Sequence, residues 1–203
     1  MPIKKNREYR TMAAAVEATE NDNYIVKGYA TTWEPYLLYE HDDMKLYERI
    51  DKNAFNNADM SDVIMQYDHV GRVYARQSNG TLRILPDEKG LYIEADLSST
   101  NGSRELYEDI KAGLITKMSW AFNIDSSGEK YDKDTRTRTI IGVKKVFDVS
   151  AVSIPANNDT SIYARSFIDG VIEEEKKEFL KRKIQEFELE SKINEIIKEQ
   201  DNG

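Results

Sequence analysis

Apolar residues come in short bursts over most of this chain, without a sustained helical period. Residues 24–30, 44–50, 63–69, 81–86 and 91–97 are rich in β-branched and aromatic side chains. Turn formers separate several of them, as at Ser78-Asn79-Gly80 and Asp87-Glu88-Lys89-Gly90, and such punctuation predicts successive strands. Within 91–97, Leu91, Ile93, Ala95 and Leu97 share one face while Tyr92, Glu94 and Asp96 share the other, the period of a half-buried strand. Together with 81–86 it predicts a hairpin. Ser103 is placed to cap a helix over 104–113, which Gly113 stops. Strand character returns over 117–124, breaks at Ser126-Ser127-Gly128 and resumes over 137–155.

The two ends differ from this body. Residues 1–23 are polar and lack a sustained period, which predicts a loosely structured lead that pairs at most as an edge strand near residues 9–13. From about Ser166 the chain has no proline, a single glycine before its last residues and dense mixed charge, which predicts one long helix. Ile172, Phe179, Leu180, Ile184, Phe187, Ile193, Ile196 and Ile197 recur mostly three and four apart and form an apolar stripe, from which Leu189 is displaced. The expected organisation is a lead over 1–23, a mostly β domain over 24–168 and a helical tail over 169–203, the tail being a targeting or removable segment.

Composition narrows the function classes. A chain of 203 residues, 39% hydrophobic, fits one domain with an appended segment. Its net charge of -8 disfavours nonspecific binding to nucleic acid or to anionic membranes, because both repel an anionic partner. The absence of cysteine excludes a disulfide framework, a Cys-ligated zinc site and a thiol nucleophile. No window approaches the roughly 18 to 20 apolar residues of a membrane span. The apolar run 12–15 falls short of the roughly 7 to 15 residues of a secretion-signal core. A soluble, non-secreted protein made in the cytoplasm is expected.

The two histidines, His41 and His69, cannot build a His-rich metal site within one chain. The cluster Glu40-His41-Asp42-Asp43 matches no calcium loop and reads as a solvated connection. No phosphate cradle, dinucleotide fingerprint or helical HExxH is present, so neither cofactor nor metal is expected.

Three residues stand in contexts that suit catalysis. In the 117–124 strand, alternation sends Met118, Trp120, Phe122 and Ile124 to an apolar face and leaves Ser119 with Ala121 and Asn123 on a small, sparsely covered one. A hydroxyl so anchored suits a nucleophile, although an amphipathic strand with an outward serine has the same pattern. His69 ends a segment in which Val63, Met65 and Tyr67 share its face, and a histidine at such a strand end suits a general base as well as a core-edge position. Asp148 sits among apolar neighbours in Phe147-Asp148-Val149 and needs a partner, for which an imidazole or the side chain of Lys144 or Lys145 would serve.

The order of these pieces resembles the prohead (capsid maturation) serine proteases of tailed bacteriophages. The likeness runs from Val26-Lys27-Gly28-Tyr29-Ala30 through Tyr47-Glu48-Arg49-Ile50 and Asn53-Ala54-Phe55 to Tyr67-Asp68-His69. It continues with Asp87-Glu88-Lys89-Gly90-Leu91, Ile110-Lys111-Ala112-Gly113 and Lys117-Met118-Ser119-Trp120-Ala121-Phe122. Phe147-Asp148-Val149-Ser150 and Ile154-Pro155-Ala156-Asn157 complete it, so that it covers roughly residues 24 to 160.

The resemblance implies His69 and Ser119 as the catalytic pair and Asp148 as the third member, where related sequences often carry glutamate. It also implies a fold shared with the herpesvirus assembly proteases: mostly β with helices (α+β), a closed or nearly closed β-barrel with surrounding helices, here with a long C-terminal helix. Those relatives use a second histidine as third member, a role only His41 could fill in this chain. The implied substrates are capsid protein or scaffold segments and the protease itself, with self-association, inside the assembling prohead in the host cytoplasm. A noncatalytic scaffold or structural assembly protein is the alternative reading.

Overall fold

The computed structural model describes residues 7–15, 17–18, 23–42, 44–125, 127–153 and 162–201. Asp43, Ser126 and the Ile154-Pro155-Ala156-Asn157 motif lie outside them. The chain begins with β1 (Glu8–Ala15), β2 (Glu17–Ala18), β3 (Ile25–Thr32), β4 (Tyr36–His41) and β5 (Met44–Ile50). It continues with β6 (Ile64–Tyr67), β7 (Val70–Arg76), β8 (Leu82–Pro86), β9 (Gly90–Asp96) and α1 (Asn101–Lys111). Then come β10 (Lys117–Ile124), β11 (Glu129–Asp132), β12 (Thr137–Ile140), β13 (Val143–Val152) and α2 (Ile162–Asp201).

Among the described residues the strands form three sheets, ordered β1-β10-β13-β6-β7, β11-β12-β5-β4 and β2-β3-β9-β8. None closes on itself, so the expected closed or nearly closed barrel is not formed. Closure needs a continuous ladder with a consistent stagger. Here the N-terminal chain changes sheets, since β1 pairs with β10 while β2 pairs with β3. The end strands β1 and β7 of the first sheet consequently have no ladder between them. Alternation along a strand reports its faces and not which edges meet, and for that reason the pattern of runs did not distinguish open sheets from a barrel.

The expected β8–β9 hairpin is present, in register from Leu82↔Ala95 to Pro86↔Leu91. Its turn is held by the Asp87 carboxylate, which accepts from the backbone N–H groups of Lys89 and Gly90 at 2.8 and 2.9 Å. Gly90 is required there, because a Cβ would stand 2.1 Å from the Thr31 carbonyl oxygen. Helix α1 starts earlier than expected. Thr100, with extended backbone, accepts from the Ser103 N–H and is the N-cap, while the Ser103 hydroxyl donates to the Tyr74 carbonyl at 3.0 Å. Leu106, Tyr107 and Ile110 form its buried face, and Gly113 follows it with φ +74°.

The core gathers Trp33, Phe55, Met65, Leu91, Ile93, Tyr107, Trp120 and Phe122 with smaller neighbours. Trp120 stacks on Phe122 at 3.9 Å between ring centroids and lies 5.6 Å from Phe55. Burial of each such ring stabilises by roughly 1.5–3 kcal/mol, and it fixes β10 from the core side.

A second buried feature is ionic. Arg10 on β1 pairs with Glu8 and with Glu48 on β5, both at 2.5 Å. Arg138 on β12 pairs with the same two carboxylates at 2.8 Å and with Glu129 at 2.5 Å. The Tyr36 hydroxyl donates to Glu48. Glu8, Arg10, Glu48 and Arg138 are all buried, so the polar lead contributes two fully engaged charges to the interior. Burial alone would raise the pKa of Glu48, but the charges and hydrogen bonds of Arg10 and Arg138 outweigh it and hold it at about 2. Glu8 is lowered in the same way.

By packing, residues 1–164 form one compact unit and 165–203 another. In the second, α2 exposes Phe179, Leu180, Ile184, Phe187, Leu189 and Ile193. Lys177 pairs with Glu173 one turn away at 3.0 Å. Among the described residues no helix is long and apolar enough to cross a membrane.

Candidate active site

Strand β10 matches the expected 117–124 segment, and it is interior to its sheet. Ser119 is directly opposite Thr11 of β1 on one side and Ser150 of β13 on the other. The face expected to be sparsely covered is closed over: Ser119 and Ala121 are fully buried. The residue above Ser119 is His69, whose Nε2 lies 2.7 Å from the Ser119 Oγ.

His69 does not continue β6. The strand stops at Tyr67, which pairs with Val70, and the two residues between them have φ of 49° at Asp68 and 59° at His69. Left-handed backbone at both central positions is the geometry of a type I′ hairpin turn. Side-chain-bearing residues adopt it at a cost on the order of 1 kcal/mol or more each. The cost is offset by a clamp. Asp68 donates its N–H to the Ala151 carbonyl at 3.0 Å, and its carboxylate accepts from the Ser153 N–H at 3.0 Å and hydroxyl at 2.8 Å. The turn is thus pinned to β13, which runs parallel to β6 beside it. Asp68-His69 lacks the glycine that usually marks such a turn, so its geometry is not evident from the sequence.

Asp148 reaches the other ring nitrogen. Its Oδ1 hydrogen-bonds to His69 Nδ1 and accepts from the Ser150 hydroxyl at 2.8 Å. Arg7 stands farther off, 3.9 Å from the second carboxylate oxygen, with its guanidinium 3.8 Å from the centre of the Phe147 ring. The lysines that could have claimed Asp148 pair elsewhere, Lys145 with Asp59 at 2.5 Å and Lys144 with Asp125 at 3.8 Å. The Tyr9 ring meets the imidazole edge-on at 4.8 Å. His69 and Asp148 are both buried.

The remaining histidine is not in this cluster. His41 ends β4 on a different sheet, largely exposed, with Nδ1 3.1 Å from Asp42. Among the described residues no group of three His, Cys, Asp or Glu side chains is arranged to hold a metal ion.

Chemically, the arrangement is a proton path in a water-poor setting. A carboxylate fixes the imidazole with its Nδ1 proton toward Asp148, which leaves the Nε2 lone pair facing a serine hydroxyl. Ser150, whose hydroxyl meets the same carboxylate oxygen as the imidazole, is not among the site residues that the sequence suggests. Its position two residues from Asp148, hence on the same strand face, is the signal that would have found it.

No curated protein and no solved structure matches the chain. The sequence model of the caudovirus prohead serine proteases does, over residues 10–178, a span that contains most of β1 and all of the His69 turn, β10 and β13. The chain belongs to the caudovirus prohead serine protease family.

Proposed function

We propose that the chain is a serine endopeptidase in which Ser119 is the nucleophile, His69 the general base and Asp148 the residue that orients it. The observation that carries this reading is the unbroken hydrogen-bond chain from Asp148 through both ring nitrogens of His69 to the Ser119 hydroxyl. Ser119 Oγ attacks the scissile carbonyl carbon as His69 Nε2 takes its proton. The tetrahedral adduct then collapses, the C–N bond breaks, and the imidazolium returns the proton to the departing amine. Water repeats the sequence on the acyl-enzyme and frees Ser119. Asp148 remains ionised throughout and stabilises the imidazolium.

Family membership supports capsid protein or its scaffold segments as substrates, with the protease itself as a further one, inside the assembling prohead of an infected cell. Confinement in a shell raises the effective concentration of cleavage sites, so tight individual binding is not required. Residues 169–203 are proposed as a separable tail that directs the protease to the shell, in keeping with the apolar side chains α2 exposes. A chain ending near Asp169 should then stay folded and cleave, but fail to enter proheads.

The activity is tested by labelling with a serine-directed fluorophosphonate and by co-expression with the capsid protein. Label and capsid cleavage that both vanish in Ser119→Ala, at unchanged thermal midpoint, support the enzyme. Unchanged processing by Ser119→Ala overturns the nucleophile assignment and favours a noncatalytic assembly protein.

A further inference from the structure

We infer that Ser150 is a positioning residue that sets the Asp148 carboxylate against His69, an inference that rests on the reading of Ser119, His69 and Asp148 as a catalytic unit. Asp148 is buried, and an ionised carboxylate removed from water needs donors to hold it. Among the described residues its hydrogen bonds come from two groups, His69 Nδ1 and the Ser150 hydroxyl, and both meet the same oxygen, Oδ1. Arg7, at 3.9 Å from Oδ2, contributes charge but lies beyond hydrogen-bond reach.

The direction of the Ser150 bond follows from chemistry. A carboxylate only accepts, so the hydroxyl proton of Ser150 points at Oδ1. With that bond in place, rotation of the carboxylate about its Cβ–Cγ axis would break two hydrogen bonds at once. Without it, the His69 bond alone would resist rotation. Ser150 is itself fully buried and is held between Ser119 on β10 and Gln66 on β6 in the sheet register. Its backbone is therefore fixed by neighbours on both sides, as a positioning group requires. Ser150 is directly opposite Ser119, yet its hydroxyl is committed to the carboxylate and the nucleophile's to the imidazole. The two serines serve opposite ends of one path.

Two readouts on the full chain test this, and neither requires the natural cleavage sequence. The first is the rate of phosphonylation by a fluorophosphonate, resolved into its maximal rate and its half-saturating concentration. Loss of one hydrogen bond to a charged group should lower the maximal rate roughly 10- to 100-fold in Ser150→Ala and leave the half-saturating concentration unchanged. Ser150→Cys keeps the shape with a weaker donor, should fall between, and carries the test if the alanine variant fails to fold. The second is the low-field proton resonance of His69 Nδ1–H, which should move upfield in Ser150→Ala and vanish in Asp148→Asn. A purely structural serine would lower the thermal midpoint and leave both readouts untouched.

A normal maximal rate together with an unmoved resonance in both Ser150 variants, while Ser119→Ala stays unlabelled, overturns the role of Ser150 and leaves the triad standing. Label that persists in Ser119→Ala overturns the triad itself.

Discussion

Among the described residues two buried polar networks can be compared, and they are built to opposite ends. The Glu8–Arg10–Glu48–Arg138 cluster joins β1 to β5 and β12 with two cations and two anions, each charge answered at 2.5 to 2.8 Å. The His69 network joins the β6–β7 turn to β13 and β10, and it runs in one direction, from a carboxylate to a neutral hydroxyl. The first is closed: Glu8 and Glu48 each meet both arginines, and Arg138 reaches Glu129 as well. The second ends on an oxygen that can be changed chemically. Burial of charge alone therefore does not mark the candidate site, since the more heavily charged network has the form of a structural joint.

Breaking each network separates the two roles. The largest effect is expected from His69→Ala, which should reduce phosphonylation of Ser119 by at least about 10⁴-fold. Its thermal midpoint should fall as well, because the buried Asp148 carboxylate loses one of its two hydrogen-bond donors, and a labelling rate of the folded fraction within tenfold of wild type would remove His69 from the mechanism. Arg138→Met should lower stability without this loss of labelling. Leaving Glu8 and Glu48 buried with half their cationic partners costs about 3–5 kcal/mol of stability, measured by urea unfolding, while the folded fraction labels at the normal rate.

The closed network also fixes a pH window. A carboxylate whose folded pKa is depressed contributes stability that is present above its unfolded value and is lost as pH falls. For Glu48 the window runs from the ordinary 4.5 down to about 2, and Glu8 adds in the same direction. The thermal midpoint should fall steeply across that window, and more shallowly in Arg138→Met; parallel slopes in the two proteins would argue against this assignment. The smallest effect is expected for Asp68→Ala, which unclamps the His69 turn. Loss of its hydrogen bonds to Ser153 should cost about 1 kcal/mol and slow labelling several-fold without moving its half-saturating concentration.

The sequence showed the local parts of this architecture and missed its long-range ones. The β8–β9 hairpin was legible because Leu91, Ile93, Ala95 and Leu97 alternate with polar residues and Asp87 and Gly90 mark the turn. The limits of β10 were legible for the same reason. Open sheets in place of a barrel were not, because closure depends on which edges meet. The burial of Glu8 and Arg10 was hidden too, since charged residues are ordinarily solvated and Arg138 lies 130 residues from Glu8. At the site, the neighbours of Ser119, His69 and Asp148 suited catalysis and bland structural roles alike, and the family resemblance is what joined them. The cover over Ser119 was not legible, because it comes from a turn fifty residues away whose Asp68-His69 pair lacks the usual glycine.

The interior position of β10 bears on how a peptide can reach it. Peptide groups on either side of Ser119 are already spoken for, by Thr11 of β1 and by Ser150 of β13. Under the proposed mechanism a cleavable segment therefore cannot lengthen this sheet as an added strand beside the nucleophile. It must cross over the sheet's face on the His69 side, displacing whatever shields the hydroxyl, and donors for the carbonyl oxygen must come from groups outside the ladder on either side of Ser119. Recognition then falls to side chains that rise from the face, and cleavage preference should follow their size and charge more than the backbone pairing that edge-binding proteases exploit.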